Sequence, residues 1–195
     1  MTKVFFYYLC ICFFSVFSLA FLSPFLGNSW AKGPRPVIED ISLAKSNHHL
    51  VAYMSLENPL NQETIAVLKS GIQIRLTFQV EIKEPSFPFD KIIAEKRYSR
   101  ILKYDNLKKD YMMVEGPPSP RVVTVNSMEE FKNLAFNLNK ADVLSLNRLT
   151  ERKRYIFRAK ASLEIIEGSR PFEGLLNFFS SDKIETEWHE IPFTY

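Results

Sequence analysis

Cysteine is scarce in this 195-residue chain: there are two, Cys10 and Cys12, and both fall within the first 31 residues. The remainder therefore can form no disulfide within itself and must be held by packing alone. Glycine is also sparse, with six residues. No Gly-x-Gly-x-x-Gly or Walker sequence occurs, so a backbone cradle for phosphate is not expected. Histidine numbers three, which leaves little material for a metal centre. An excess of one charge sign is missing too. The formal +3 is too small to argue for nucleic acid, and 46% hydrophobic residues exclude a disordered chain. Charge is unevenly spread, however. Lys3 is the sole charged residue of 1–31, a segment that carries 7 of the 17 Phe; the other 164 residues hold 24 Lys+Arg against 22 Asp+Glu.

What is present at the N-terminus is an apolar run from Val4 to Leu22, broken only by Ser15 and Ser18. Its 19 residues reach the ~17–25 that cross a bilayer as a helix and exceed the usual ~7–15 of a signal-peptide core. Pro24 and Gly27 then interrupt helix formation, and Ser29-Trp30-Ala31 puts small residues where a signal peptidase reads. Two expectations follow. Either cleavage after Ala31 leaves Lys32 as the new terminus, or residues 4–22 persist as a membrane anchor. Cys10 and Cys12 lie inside the apolar core, which fits lipid-facing filler better than a lipoprotein cysteine. Residues 32–36, with Gly33-Pro34-Arg35-Pro36, read as a stiff spacer, and 37–195 as one domain.

Within that domain the strongest signal is Ile72 to Lys83. Ile72, Ile74, Leu76, Phe78, Val80 and Ile82 alternate strictly with polar residues, so one face of a strand is apolar and the other wet. Tyr155 to Ile165 repeats the pattern with Tyr155, Phe157, Ala159, Ala161, Leu163 and Ile165. Further strands are expected at Val37–Lys45, Leu50–Leu56, Lys91–Tyr104, Tyr111–Glu115, Arg121–Val125 and Lys183–Phe193. The alternation in Lys91–Tyr104 is confused, because Tyr98, Leu102 and Tyr104 share a face with Lys96 and Arg100. Helices are expected at Gln62–Ser70, with an asparagine cap, Pro59 in the first turn and Gly71 past the end. A second starts at the capping box Ser127-Met128-Glu129-Glu130, with Phe131, Leu134, Ala135 and Leu138 as its buried stripe. Leu144–Leu149 leads into a charged turn, and Leu175–Phe179 is apolar. These elements predict a mainly β, α+β fold: an antiparallel β-sandwich or strongly curved sheet with two short helices. Trp188 is expected in its core.

Chemistry is thinly represented. His48 and His49 are adjacent, so their side chains diverge, and His189 would have to join from far away; no metal or other cofactor is expected. Ser180-Ser181-Asp182 reads as a loop or cap, with no Gly-x-Ser-x-Gly anywhere. Two basic clusters stand out: Lys96, Arg97, Arg100 and Lys103, interleaved with Tyr98 and Tyr104, and then Arg148 with Arg152, Lys153 and Arg154. Glu95, Asp105, Asp110 and Glu151 dilute them. They read first as solvated sheet edge, then as a contact for an acidic partner or anionic lipid, and not as a nucleic-acid site. Ile191, Phe193 and Tyr195 alternate as in the closing strand of an outer-membrane barrel, but the capped helices and Pro117-Pro118-Ser119-Pro120 argue against one.

The order of elements, with certain residues, resembles the bacterial domain-of-unknown-function 4390 family. The features that carry the resemblance are Lys69-Ser70-Gly71 before the long strand Ile72–Ile82 and the run Leu102-x-Tyr104-x-x-Leu107-x-x-x-Tyr111. The helix Met128–Leu138, the strand Tyr155–Leu163 and the terminal Glu187-Trp188 complete it, over about residues 45–193. The resemblance implies an exported or membrane-anchored bacterial protein with no established activity and no catalytic residue to carry over. The expected role is therefore a non-enzymatic envelope module, periplasmic or held outside the inner membrane. Its expected partner is an envelope protein or a small apolar ligand. The competing expectation is an envelope hydrolase whose site is assembled from distant residues.

Overall fold

The computed structural model describes residues 34–117, 120–166 and 183–195. The apolar run 4–22, both cysteines, the Ala31–Lys32 junction, Leu175–Phe179 and Ser180–Asp182 lie outside the described residues. In chain order the elements are β1 (Val37–Ser46), β2 (His49–Glu57), α1 (Gln62–Lys69), β3 (Ile74–Glu84), β4 (Lys91–Asp105), β5 (Asp110–Glu115) and β6 (Arg121–Val125). They continue with α2 (Met128–Phe136), β7 (Asn137–Ser145), a short 3-10 turn (Leu146–Arg148), β8 (Arg154–Ile165), β9 (Lys183–Glu185) and β10 (His189–Thr194). The protein is mainly β and its sheets are antiparallel.

Two sheets enclose one core. The smaller has the order β1-β2-β7; the larger has the order β10-β8-β3-β4-β5-β6, with β9 paired to β8 in line with β10. The period-two strands β3 and β8 sit side by side at its centre, with Phe78 opposite Ala161 and Val80 opposite Ala159. Large residues on one strand thus meet alanines on its neighbour, which lets the layer interdigitate. Ile74, Leu76, Phe78, Val80, Ile82, Phe157 and Leu163 form a single buried cluster with Leu50, Ala52, Met54 and Leu56 of β2 and Ala141 and Val143 of β7. This is a sandwich of the kind that a sheet with one wet face requires.

The edges are managed by sequence. Pro192 stands opposite Ile156 in the edge strand β10, where its missing N–H removes nothing from the ladder. Between β9 and β10 the ladder is interrupted at Thr186: its N–H still donates to the Ala161 carbonyl at 2.9 Å, but the Ala161 N–H donates to the Thr186 hydroxyl at 3.0 Å. The expected strand Lys183–Phe193 is therefore two strands with Thr186–Trp188 between them.

Both helices form where expected, with corrections. The α1 cap is Asn61, whose Oδ1 accepts from the Thr64 N–H at 2.7 Å; Pro59 lies outside the helix rather than in its first turn. Gly71 follows at φ +86°, and a Cβ there would also lie 3.2 Å from the Asn106 side-chain nitrogen, so glycine is needed both for conformation and for space. Ser127 caps α2 through Glu130 N. Phe131, Ala135 and Phe136 are its buried residues, while Leu138 already belongs to β7. That strand has no signal in the sequence, since no glycine or proline marks the change from helix at Phe136 to extended backbone at Asn137.

Phe157 is fully buried at the centre of the larger sheet. Phe157→Ala is expected to destabilise the protein by about 3–5 kcal/mol, measured as a shift in the urea midpoint of the full chain.

Candidate functional site

The structure divides the first basic cluster between two faces of β4. Lys96 stands opposite Val80, Tyr98 opposite Phe78 and Arg100 opposite Leu76, so all three share the core face. Arg97 and Lys103 point the other way; both are exposed, and Arg97 is paired with Glu95 at 2.8 Å. The confused alternation of this strand is thereby explained: its inward cations each meet a specific partner on β7, α2 or β5.

Arg100 is 7% exposed. Its Nη1 donates to the carbonyls of Leu134 (3.2 Å), Ala135 (2.6 Å) and Asn137 (2.9 Å). Its Nη2 lies 3.0 Å from Glu115 Oε1, and the guanidinium carbon sits 5.8 Å from the Phe78 ring centroid. The last carbonyls of a helix have no intrahelical donors, and α2 runs directly into β7 without a glycine cap. Arg100 supplies those donors. Burial pulls its guanidinium below the ordinary arginine value, and Glu115 opposes that pull. This residue is a structural cap, not a free surface cation.

Lys96 belongs to a second polar knot, centred on Asp142 of β7. Lys96 Nζ donates to Asp142 Oδ2 at 2.8 Å, His49 Nδ1 donates to Oδ1 at 2.7 Å, and the Tyr98 hydroxyl donates to the Asp142 carbonyl. Burial, reinforced by the Asp142 charge, pushes the Tyr98 phenol up to about 12. Asp142 feels partial burial that raises its carboxyl, but the hydrogen bonds from Lys96 and His49 outweigh it and hold the group below its ordinary value. A His–Asp pair is half of a general-base arrangement. Among the described residues no hydroxyl or thiol is hydrogen-bonded to His49, and no group of three or more His, Cys, Asp or Glu converges as a metal site. The three histidines do not come together as ligands.

The outer face of the larger sheet holds a third arrangement that the sequence did not suggest. Glu81, at a wet-face position, is 4% exposed. Arg158 approaches its Oε2 through Nε at 2.8 Å and Nη2 at 2.6 Å, and Gln79 donates to Oε1 at 3.0 Å. The Arg158 guanidinium lies 4.2 Å from the Trp188 ring centroid, with Lys160 Nζ at 5.2 Å on the same ring. Trp188 is thus half-buried against cations on the outer face, not in the core as expected. Every buried polar side-chain atom among the described residues has a partner.

The second basic cluster falls at one end of the larger sheet. Arg152 has an exposed side chain, and its N–H donates to the Tyr195 carbonyl at 2.6 Å. Lys153 binds Glu84 at 2.6 Å, which raises its ammonium above the ordinary lysine value. Arg154 opens β8, opposite Thr194, and is exposed. Arg148 donates to the Ile93 carbonyl. These contacts place the 148–154 turn beside the base of the β3–β4 hairpin, whose connection carries Phe87 at 98% and Phe89 at 83% exposure. The two clusters therefore do not form one basic face. By itself the stretch Pro85-Ser86-Phe87-Pro88-Phe89 shows only a turn rich in proline and aromatics.

The fold and these sites define an antiparallel β-sandwich whose described polar clusters are closed on themselves. The chain belongs to the family of the domain of unknown function DUF4390, which matches residues 34–192. That match begins at the spacer, upstream of the residues that carry the resemblance in the sequence. No curated protein and no solved structure matches the chain.

Two outcomes check the roles given to these clusters. Arg100→Met leaves three carbonyls without their donor and Glu115 with Arg121 alone, and is expected to cost about 3–5 kcal/mol. Arg100→Lys restores the charge but not the fork and is expected to recover only part of that loss in urea unfolding. For Asp142 the folded value is lowered, so its stabilisation is complete above the unfolded carboxyl range of about pH 4 and is lost as pH falls through the lowered value. Asp142→Asn is expected to be less stable than the parent at neutral pH, and the difference should shrink on acidification in a pH series of urea midpoints.

Proposed function

We propose that this protein is an exported cell-envelope domain, periplasmic or tethered outside the inner membrane through residues 4–22. In this reading it acts as a non-catalytic binding module. Export rests on the apolar run, its length and the Ser29-Trp30-Ala31 junction. The binding role rests on one observation above all. The inward polar groups are consumed by structural bonds, while the largest exposed apolar side chains among the described residues, Phe87 and Phe89, stand together on one hairpin tip. A protein that spends its buried polar groups on capping and cross-sheet ties, and leaves two phenylalanines in water, is built to cover them with something else. The hydrolase alternative would start from His49 and Asp142, and among the described residues no hydroxyl or thiol is hydrogen-bonded to that histidine.

Protease treatment of spheroplasts, combined with mass spectrometry of the mature N-terminus, tests the location. Digestion of the domain in intact spheroplasts, or its release with the periplasmic fraction as a chain beginning at Lys32, is the expected result. Protection until the inner membrane is lysed would overturn export. For binding, a photo-crosslinking side chain at position 87 or 89 in native envelope is expected to give adducts that the same group at Leu107 does not give.

A further inference from the structure

The β3–β4 connection, Pro85 to Asp90, projects beyond the paired residues Glu84 and Lys91. Phe87 is 98% exposed, Phe89 83% and the nearby Ile92 49%. Below this tip the large sheet brings in the 148–154 turn: Lys83 of β3 lies opposite Ile156 of β8, and Lys153 reaches Glu84. The charges at this end are unequally satisfied. Glu84 is taken by Lys153, Asp90 lies 3.7 Å from Lys83, and Glu190 lies between Lys83 and Arg158. Lys91, Arg152 and Arg154 are exposed and have no acidic partner among the described residues; Glu151 is the one exposed acid of the turn left to offset them. Arg148 adds a further charge, bound among the described residues to the Ile93 carbonyl. The tip is thus apolar at its extremity and cationic in a collar behind it.

We propose that this hairpin tip docks the protein on an anionic lipid bilayer, with Phe87 and Phe89 entering the interfacial region and Lys91, Arg152 and Arg154 meeting the headgroups. The proposal rests on the binding-module reading and names the surface that the module binds. Two features select a bilayer over a folded partner. The patch stands on a projecting hairpin tip and is small: two phenylalanines bury about 300–500 Å² together, less than the ~600–1,000 Å² that each partner contributes to a specific protein interface. A bilayer asks for no complementary shape, only an apolar side chain that can reach the acyl boundary and cations at headgroup depth. Phenylalanine at the extremity with lysine and arginine one layer behind matches that depth profile. Leu107 is also exposed, at 95%, but it lies in the β4–β5 turn at the far end of a 15-residue strand, roughly 50 Å away at the usual rise per residue.

The test uses the full chain with Cys10 and Cys12 replaced by serine and one spin label, introduced through Phe89→Cys or through Leu107→Cys. Both residues are exposed, so neither change disturbs packing. The chain is reconstituted into vesicles of phosphatidylethanolamine and phosphatidylglycerol, and label collisions with oxygen and with a water-soluble nickel chelate are compared. The label at 89 is expected to be oxygen-accessible and shielded from nickel, and the label at 107 open to nickel. Reversing Lys91, Arg152 and Arg154 to glutamate, adding high salt, or using phosphatidylcholine alone is expected to return the label at 89 to water. A label at 89 that is open to nickel in anionic vesicles overturns the proposal. So does one equally shielded in detergent without lipid, because a protein contact then covers it. If the label is open while crosslinks from 87 and 89 in native envelope capture a protein, the bilayer fails and the binding module stands. If those crosslinks capture nothing, both fail.

Discussion

A buried guanidinium decides how the two sheets of this protein are joined. Between α2 and β7 the chain passes from helix to strand at consecutive residues, with no glycine to take the left-handed conformation that usually closes a helix. The carbonyls of Leu134, Ala135 and Asn137 are left facing inward, and burying them without donors would cost more than the turn gains. Arg100 reaches all three from the middle of β4 and anchors its remaining charge on Glu115 of β5. One side chain therefore ties the larger sheet, the helix and the start of the smaller sheet's edge strand. The position of β7, and with it the whole three-stranded layer, depends on that tie.

The Asp142 knot repeats the same logic five residues along β7. Lys96 and Tyr98, the next inward positions of β4, hold the side chain and carbonyl of Asp142, and His49 brings in β2. Together the two knots run β4 alongside β7, which aligns the sheets as a sandwich over their common apolar cluster. Charged residues on an inward face are expensive to bury alone. Here each has its partner, and the fold gains a defined register between layers that apolar packing would specify only loosely.

Much of the fold is legible in the amino-acid sequence. Strict alternation in Ile74–Ile82 and Tyr155–Leu163 identifies the two central strands, because the side-chain period of a strand is two and nothing else produces apolar residues in that rhythm. Ser127 and Gly71 mark helix ends through local chemistry. The misses are equally physical. Strand β7 is hidden because its start carries no breaker and its cap comes from a residue up to 37 positions away. Trp188 reads as a core residue on its size, whereas the excursion of the chain at Thr186 carries it over to Arg158 and Lys160 on the outer face. Neither basic cluster can be judged from composition: Arg100 and Lys96 are internal partners, Arg97 a local pair, and Arg152 and Arg154 collar residues of a hairpin they never adjoin in the chain.

What the chain determines locally is therefore the list of its strands and helices, their wet and apolar faces, the absence of any disulfide in the domain and the apolar N-terminal run. These follow from periodicity, capping and composition, which act over a few residues. What tertiary structure alone decides is which charges are spent and which remain. Ionic partners here lie tens of residues apart and meet only through strand order, so the same arginine that looks like surface in the sequence can cap the inner end of a helix. For the same reason Phe87 and Phe89 acquire a cationic surround only once β8 is laid beside β3.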